Sequence, residues 1–329
     1  MPGSAERPSR PASEIAVIVA TCNRPDDLDA CLRSLLRQTK APAQIVVVDD
    51  APGGERAPAV VAALAADAPI RYVEGPRGGL GAAHNHGRPF VDTPLVAFTD
   101  DDVIADARWV ERIAAPFRSD ERVGCVTGMI RPWELRTDVQ ALLEGYAGFN
   151  KGDVRRVYDL AENRPDDPLY PFAAGKLGSG ANMAFRRSVL DEMGWFDPAL
   201  GAGTRARAGD DLLAFFEVIQ SGHRLVYEPE AVVLHRHAET MEALERQVYG
   251  YGVGLTAYLT RCLVGRPRLV GTVLRRLPKA VAYVLDPRSG KNARLPPGYP
   301  SALTRSERLG MLLGPFAYAA SRVEVARRR

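Results

Sequence analysis

Three consecutive aspartates, Asp100, Asp101 and Asp102, follow an apolar run at residues 95–98. Adjacent carboxylates repel one another, and water, a helix N-terminus or a bound cation relieves that repulsion. The alternate carboxylates of Asp100 and Asp102 have the spacing to reach one divalent cation and to leave coordination positions for phosphate oxygens. The other interpretation is a solvated loop that caps a helix near Trp109. The triplet alone leaves both interpretations open.

Two further groups of side chains bear on that choice. Asp210 and Asp211 precede an apolar helical pattern. They either stabilise the helix N-terminus electrostatically or supply a general base for a hydroxyl group, with a pKa raised by desolvation and a neighbouring charge. His235 follows another apolar run. A lone histidine is commonly a surface or core residue, whereas an imidazole beside carboxylates can complete a site that suits Mn²⁺ better than Ca²⁺.

The segments around these residues predict an α/β fold. Apolar runs rich in β-branched residues, at residues 15–20, 44–48 and 95–98, alternate with helical patterns. This alternation indicates a doubly wound, mostly parallel sheet with a Rossmann-like first half. Shorter strands are predicted at residues 70–73, 224–227 and 231–234. Ligands bind such sheets at the carboxyl ends of the strands, so the polar residues after each run are expected at one rim.

The order of these motifs resembles that of the family 2 glycosyltransferases, which are inverting enzymes of the GT-A fold. The resemblance covers about residues 15–237 and rests on the segments VIVATCNRPDDL, IVVVDDAP, GGLGAAHNHG, VAFTDDDV, GSGANMAFRRSVLDEMGWFDPAL and AGDDLLAFFEVIQSGHRLVYEPEAVVLHRH. It implies transfer of a sugar from a nucleoside diphosphate to an acceptor hydroxyl, with UDP- or dTDP-sugars favoured as donors. It also implies Mn²⁺ or Mg²⁺ as a cofactor.

The resemblance implies a role for each residue that matches a family motif. The expected donor contacts are Thr21, Asn23, Arg24, Asp50, Asn85, Asp100 and Asp101, with Asp50 accepting a hydrogen bond from the base. The expected metal ligands are Asp102, Asp100 and His235. Asp211 matches the catalytic base, and Asp210, which stands where the family usually has Glu, is expected to support it.

Acceptor contacts are expected beyond residue 177, where a Gly-rich segment resembles the family's loop between donor and acceptor. The residues expected to contact an acceptor are Gly180, Asn182 and Trp195, although an aromatic side chain at the last position is as often part of a core. One departure concerns the donor side. His84 stands where the family frequently has Arg, so a phosphate contact there is expected to be lost or to depend on pH.

The resemblance also divides the chain. Residues 1–14 are expected to be a disordered leader, since they lack the apolar stretch of a signal peptide. Residues 15–128 correspond to the nucleotide-sugar-binding half and residues 129–240 to the acceptor-binding and catalytic half of one GT-A domain. Residues 241–329 form a basic, amphipathic helical extension. Four scattered cysteines without paired spacing are typical of a reducing cytoplasm.

Charge is distributed unevenly between these parts. Residues 241–329 contain 16 Lys and Arg against 5 Asp and Glu, a net charge of +11, and because the whole chain carries +3, residues 1–240 carry −8. The basic helices are expected either to lie on anionic lipid at the inner face of a membrane or to pack on the catalytic domain or a second subunit of a homo-oligomer. No nucleic-acid motif accompanies the charge, so a nucleic acid partner is not expected. Glycan, lipid-linked and small-molecule acceptors all stay open.

Three other functions compete with this interpretation. A signalling receiver domain would share an acidic pair after a strand, but here a complete strand–helix unit precedes Asp49 and Asp50. A nucleotidyltransferase would share the fold and the metal, but such enzymes usually open with a Gly-rich, Arg-containing phosphate loop. A catalytically inactive nucleotide-binding module is disfavoured by the joint presence of metal carboxylates, a candidate base and His235.

Overall fold

A computed structural model describes residues 13–66, 68–147, 149–296 and 298–328 of the chain. The predicted leader therefore lies outside the described residues except for Ser13 and Glu14. Ser13 is buried, and its backbone N–H donates to the carbonyl of Ala41 at 3.1 Å. The described chain thus begins by packing directly against the first βα unit.

The described strands form one mixed sheet in the order β3-β2-β1-β4-β8-β6-β9-β5, with β7 paired to β9. The strands are β1 (Ile15–Thr21), β2 (Gln44–Asp49), β3 (Ile70–Glu74), β4 (Leu95–Asp100), β5 (Val103–Ala105), β6 (Val123–Pro132), β7 (Arg156–Tyr158), β8 (Met183–Arg186) and β9 (Arg224–His235). Strands β3, β2, β1 and β4 are all parallel, whereas β8 is antiparallel to both β4 and β6. The prediction of a mostly parallel α/β sheet is confirmed.

Helices cover both faces of this sheet and then continue into the extension. They are α1 (Pro25–Leu36), α2 (Arg56–Ala65), α3 (Leu80–Gly87), α4 (Trp109–Ser119), α5 (Asp138–Ala147), α6 (Arg187–Met193), α7 (Asp210–Gln220), α8 (Met241–Gly265), α9 (Val270–Leu285) and α10 (Ser301–Arg328). Short 3₁₀ turns lie at Arg88–Phe90, Ala174–Lys176, Pro267–Leu269 and Asn292–Arg294.

The buried strands explain why the sheet is covered on both sides. Along β1, Ala16 and Ile18 pack into one hydrophobic cluster, whereas Ile15, Val17 and Val19 pack into another. Successive side chains of a strand point to opposite faces, so a continuous apolar run supplies two cores at once. The two short strands predicted at residues 224–227 and 231–234 are one strand, β9, whose pairing with β6 shifts register between Gly128 and Met129.

Within the extension, α8 and α10 pack closely against each other. A Cβ atom on Gly310 would lie 2.3 Å from the carbonyl oxygen of Tyr249, and one on Gly314 would lie 2.4 Å from that of Val253. Only glycine allows two helix backbones to approach this closely. Among the described helices, none combines the length and the apolar character needed to cross a membrane.

Candidate active site

The parallel strands bring polar residues to one edge of the sheet. Thr21, the last residue of β1, pairs with Asp49 of β2, and Ala20 pairs with Asp100 of β4. The three strands therefore end side by side, as expected for a doubly wound sheet. The edge carries the hydroxyl of Thr21, the Asp49-Asp50 pair and the aspartate triplet.

The middle aspartate of the triplet is held by neighbours from β1 and α1. Thr21 Oγ1 donates a hydrogen bond to Asp101 Oδ2 at 2.8 Å. Arg24 Nη1 lies 2.5 Å from Asp102 Oδ2 and 3.4 Å from Asp101 Oδ1. Burial, reinforced by the charge of Asp102, raises the pKa of Asp101 to about 6. The guanidinium of Arg24 thus offsets part of the repulsion within the triplet.

The outer aspartates form a cluster with His235. The antiparallel register of β5 and β9 pairs Val103 with His235, which places the imidazole next to Asp102. His235 Nε2 lies 3.4 Å from Asp102 Oδ1 and 4.0 Å from Asp100 Oδ2. One ligand atom from each of the three residues lies within 4.8 Å of the others.

The chemistry of this cluster fits a divalent cation. Among the described residues, Asp102 Oδ1 is buried without a hydrogen-bond partner, as an atom reserved for a cation would be. Burial lowers the pKa of His235, so the imidazole is neutral and keeps a lone pair for a metal. Burial and the neighbouring carboxylates raise the pKa of Asp100, and a cation would relieve that repulsion. Two carboxylates and an imidazole suit Mn²⁺ or Mg²⁺.

Asp211 and Asp210 begin α7 at the same edge. Asp211 Oδ2 accepts a hydrogen bond from the Gly180 N–H at 2.9 Å, and Oδ1 accepts one from the Leu212 N–H at 2.8 Å. Burial raises the pKa of Asp211, although both hydrogen bonds oppose the shift. Burial and the charge of Asp211 raise the pKa of Asp210 to about 7. The charge of Asp211 thus contributes to the raised pKa of Asp210, and the two hydrogen bonds favour the ionised form of Asp211.

A tyrosine from the extension completes this part of the site. Burial raises the pKa of Tyr251 in α8, and the charges of Asp211, Asp100 and Asp102 add to the shift. The charges of the candidate base and of the candidate metal ligands thus both contribute to the pKa shift of this phenol. Gln247 donates to its hydroxyl oxygen at 2.7 Å. The sequence offered no signal for Tyr251, because it lies 40 residues beyond Asp211 in a helix whose pattern indicates only packing.

The Gly-rich turn before α3 holds the carboxylate of Asp50. Its Oδ1 accepts from the Gly78 N–H at 2.9 Å and its Oδ2 from the Gly79 N–H at 2.7 Å. A carboxylate has about four acceptor positions, so two are left for a nucleotide base, and the predicted base contact stays a prediction. Asn23, with a φ of 57°, and Arg24 are exposed at the same edge.

Three residues that were predicted to contact donor or acceptor form hydrogen bonds within the protein. The Asn85 side chain donates to the carbonyl of Phe196 at 2.8 Å and accepts from its N–H at 3.0 Å. Asn182 is fully buried, where it accepts from the indole of Trp109 and donates to two backbone carbonyls. Trp195 is 5% exposed and donates to Asp191. The hydrogen bonds of these side chains are thus made within the protein, and their predicted contacts with donor or acceptor stay predictions.

His84 is also part of the core. Its ring lies 4.8 Å from that of Phe98 and 4.9 Å from that of Phe196, measured between centroids. Burial lowers the pKa of His84 to about 3, so the imidazole is neutral throughout the physiological range. Of the two expected outcomes at this position, loss of the phosphate contact or a contact that depends on pH, the burial of a neutral ring supports the first.

The model of Glycosyl transferase family 2 matches residues 16–194, more than half of the chain. That segment carries the ends of β1, β2 and β4 and the loop that hydrogen-bonds to Asp211.

Several curated proteins are similar in sequence. The chain is 28% identical over 160 residues to a pre-mycofactocin glycosyltransferase of Mycobacterium tuberculosis, covering 48% of this chain and 30% of that one. It is 31% identical over 152 residues to a validoxylamine A glucosyltransferase of Streptomyces hygroscopicus subsp. limoneus, covering 44% and 33%. It is 23% identical over 239 residues to a glucosyl-dolichyl phosphate glucuronosyltransferase of Haloferax volcanii, covering 68% and 69%. The chain spans about a third of the length of the first two.

Solved structures share the fold. The mannosyltransferase PcManGT from Pyrobaculum calidifontis, in complex with GDP-Man and Mn²⁺, superposes with a TM-score of 0.53 at 21% identity, covering 97% of this chain and 75% of that one. TarS from S. aureus gives a TM-score of 0.51 at 15% identity, covering 94% and 91%. These likenesses confirm the GT-A fold and extend into the C-terminal helices.

Proposed function

The chain belongs to glycosyltransferase family 2, and we propose that it transfers a sugar from a nucleoside diphosphate to an acceptor hydroxyl with inversion at the anomeric carbon. The observation that carries the proposal is the grouping at one edge of the sheet: Asp100, Asp102 and His235 form one cluster, and Asp211 is held by Gly180 of the loop that leads into β8, the neighbour of β4. The first set has the character of a cation site and the second that of a base. A single displacement needs both.

The residues near the strand ends would bind the donor. Asp50, held by two glycine N–H groups, would accept a hydrogen bond from the nucleotide base. Asp100, Asp102 and His235 would hold Mn²⁺ or Mg²⁺, which stabilises negative charge on a diphosphate leaving group. Arg24 is 52% exposed and lies against Asp102, so its guanidinium is within reach of the same phosphates. Mn²⁺ accompanies GDP-Man in the PcManGT complex, which supports a role for a divalent cation.

Asp211 would take the proton of the acceptor. The hydroxyl oxygen attacks the anomeric carbon from the face opposite the diphosphate, the sugar–phosphate bond breaks, and the proton passes to the carboxylate. The Gly180 and Leu212 N–H groups fix the orientation of that carboxylate. Burial raises its pKa, which makes it a stronger base than an exposed aspartate. Gly180 thereby acts by positioning the base.

Calorimetric titration of UDP, dTDP, GDP and CDP, each with and without Mn²⁺ or Mg²⁺, tests the donor side. We expect one nucleotide to bind tightly and only with metal, and UDP or dTDP is the nucleotide we expect. Incubation with the matching sugar donor and NMR of the anomeric proton of the product would then test inversion. No binding of any nucleotide would contradict the proposal, and binding without turnover would favour an inactive module.

A further inference from the structure

We propose that the outward faces of α9 and α10 bind the surface of an anionic lipid bilayer. This inference goes beyond the proposed sugar transfer and rests on different residues. It concerns where the protein works and not which bond it makes.

Helix α9 turns its apolar side away from the protein. None of its 16 residues is buried. The exposed fractions along one side of the helix are 41% for Val270, 61% for Leu274, 48% for Leu277, 45% for Val281 and 53% for Leu285. These positions are spaced by three or four residues, so they form a single stripe. We call it the α9 stripe.

The side of α9 that faces the protein makes polar and cation–π contacts. Arg276 donates to the carbonyl of Tyr170 at 2.6 Å and lies over the ring of Phe172. The ammonium of Lys176 lies over the ring of Tyr283, with Nζ 4.8 Å from the ring centroid. A helix of a soluble domain normally buries its apolar stripe. The opposite orientation here indicates that something outside the described chain covers the stripe.

Helix α10 repeats this arrangement. One side packs against α8 through Leu303, Gly310 and Gly314, all of which are buried. On the other side the exposed fractions are 51% for Leu309, 71% for Leu312, 40% for Leu313 and 73% for Phe316. We call these four residues the α10 stripe. Arg308 donates to the carbonyl of Val284 at 3.1 Å, so the end of α9 lies next to the second turn of α10.

The charge around these stripes identifies the occupant. Residues 246–285 contain seven Lys and Arg and no Asp or Glu. Arg268, Arg275 and Lys279 are exposed. Long basic side chains can extend past an apolar stripe to lipid phosphates while the apolar residues enter the acyl boundary. A second copy of this chain would bring the same positive surface and repel the first. An anionic membrane can cover the apolar stripes with its acyl chains and pair its phosphates with the basic side chains.

Co-sedimentation of the full chain with vesicles tests the proposal. Vesicles of pure phosphatidylcholine are compared with vesicles of an equimolar phosphatidylcholine–phosphatidylglycerol mixture. We expect binding to the mixed vesicles to be at least about tenfold tighter and to weaken as salt is raised. Absence of binding to the mixed vesicles would overturn the proposal.

Three double variants separate the contributions. Leu274→Ser with Leu277→Ser, and Leu312→Ser with Phe316→Ser, should each weaken binding to both kinds of vesicle by about tenfold. Arg275→Gln with Lys279→Gln should weaken binding to the mixed vesicles by about tenfold and leave the weak binding to phosphatidylcholine unchanged. Unchanged binding in both stripe variants would overturn the proposal.

A matched control uses exposed apolar residues of the catalytic region. Leu135 and Val154 are 52% and 67% exposed, so Leu135→Ser with Val154→Ser should leave vesicle binding unchanged. Thermal melting checks that each variant folds. The vesicle-binding measurement does not depend on nucleotide binding. Failure of the proposed sugar transfer would therefore not affect the result. Concentration-dependent self-association that the stripe variants abolish, without vesicle binding, would favour a second copy and overturn the proposal.

Discussion

The catalytic region and the extension use their apolar residues in opposite ways. Of the large hydrophobic side chains exposed among the described residues, three lie before residue 241 and twelve lie after residue 240. The first region carries a net charge of −8 and the second +11. In the catalytic region, apolar side chains fill two cores and charges meet at the strand ends. In the extension, the α9 stripe and the α10 stripe face outward and positive charge surrounds them.

This difference leads us to propose that the two regions bind different partners. A rim of carboxylates on a rigid sheet is suited to a cation and a small, highly charged ligand. Outward apolar stripes with basic flanks are suited to an extended anionic surface. The regions nevertheless meet, because Arg205 pairs with Glu324 of α10 at 2.5 Å and Arg261 of α8 pairs with Asp197 at 2.8 Å. Variants that affect one region and not the other test whether the comparison holds.

The largest effect is expected at the candidate base. Asp211→Asn keeps the shape of the side chain but removes the proton acceptor, so sugar transfer should fall by about 1,000-fold. Nucleotide binding, measured by calorimetry, should be unchanged, and so should binding to vesicles. Loss of nucleotide binding in this variant would argue against the base assignment.

A smaller effect is expected at the metal ligands. Asp102→Ala and His235→Ala each remove one ligand atom, and metal-dependent nucleotide binding should weaken by about 100-fold. Calorimetry with Mn²⁺ measures this, and vesicle binding, which is proposed to depend on other residues, is the control. If both variants keep the metal affinity of the natural chain, neither residue is a ligand.

The third effect concerns stability and pH. Since burial raises the pKa of Asp210 from 3.8 to about 7, the native state retains a proton that the unfolded chain releases. The free energy of unfolding should therefore fall as pH rises through that window. Asp210→Asn cannot titrate, so the stability of this variant relative to the natural chain should be about 4 kcal/mol more favourable above pH 7 than at the acid end of the range. Urea unfolding across the pH range, with chelator present, measures this, and parallel profiles for the two proteins would contradict it.

The smallest effect is expected at Arg24. Its guanidinium pairs with Asp102 Oδ2 and competes with a cation for the carboxylate. Because Arg24 is half exposed, Arg24→Gln should raise the Mn²⁺ affinity of the nucleotide-free protein by only about twofold to fivefold. Electron paramagnetic resonance of free Mn²⁺ reports the change, and Arg33→Gln, whose partner Asp29 lies on α1, is a matched control. A lower affinity would show that Arg24 assists the metal site.

Much of the site could be predicted because its signals are local in the chain. An apolar, β-branched run followed directly by Asp100 predicts both a buried strand and a carboxylate at its end. The same reasoning placed Asp211 at the start of a helix and His235 at the end of a strand. Parallel strands bring such ends together without further information. The amphipathic pattern of α9 was likewise visible in the sequence.

The sequence by itself therefore determined the α/β sheet, the edge that carries the carboxylates and the basic character of the extension. Only the tertiary structure decided which polar side chains the fold consumes, as it does for Asn85 and Asn182, and that Tyr251 reaches the site. It also decided that α9 turns its apolar side outward. The physical reason is that periodicity and strand ends are encoded by neighbouring residues, whereas hydrogen-bond partners and the buried side of a helix depend on contacts between distant segments.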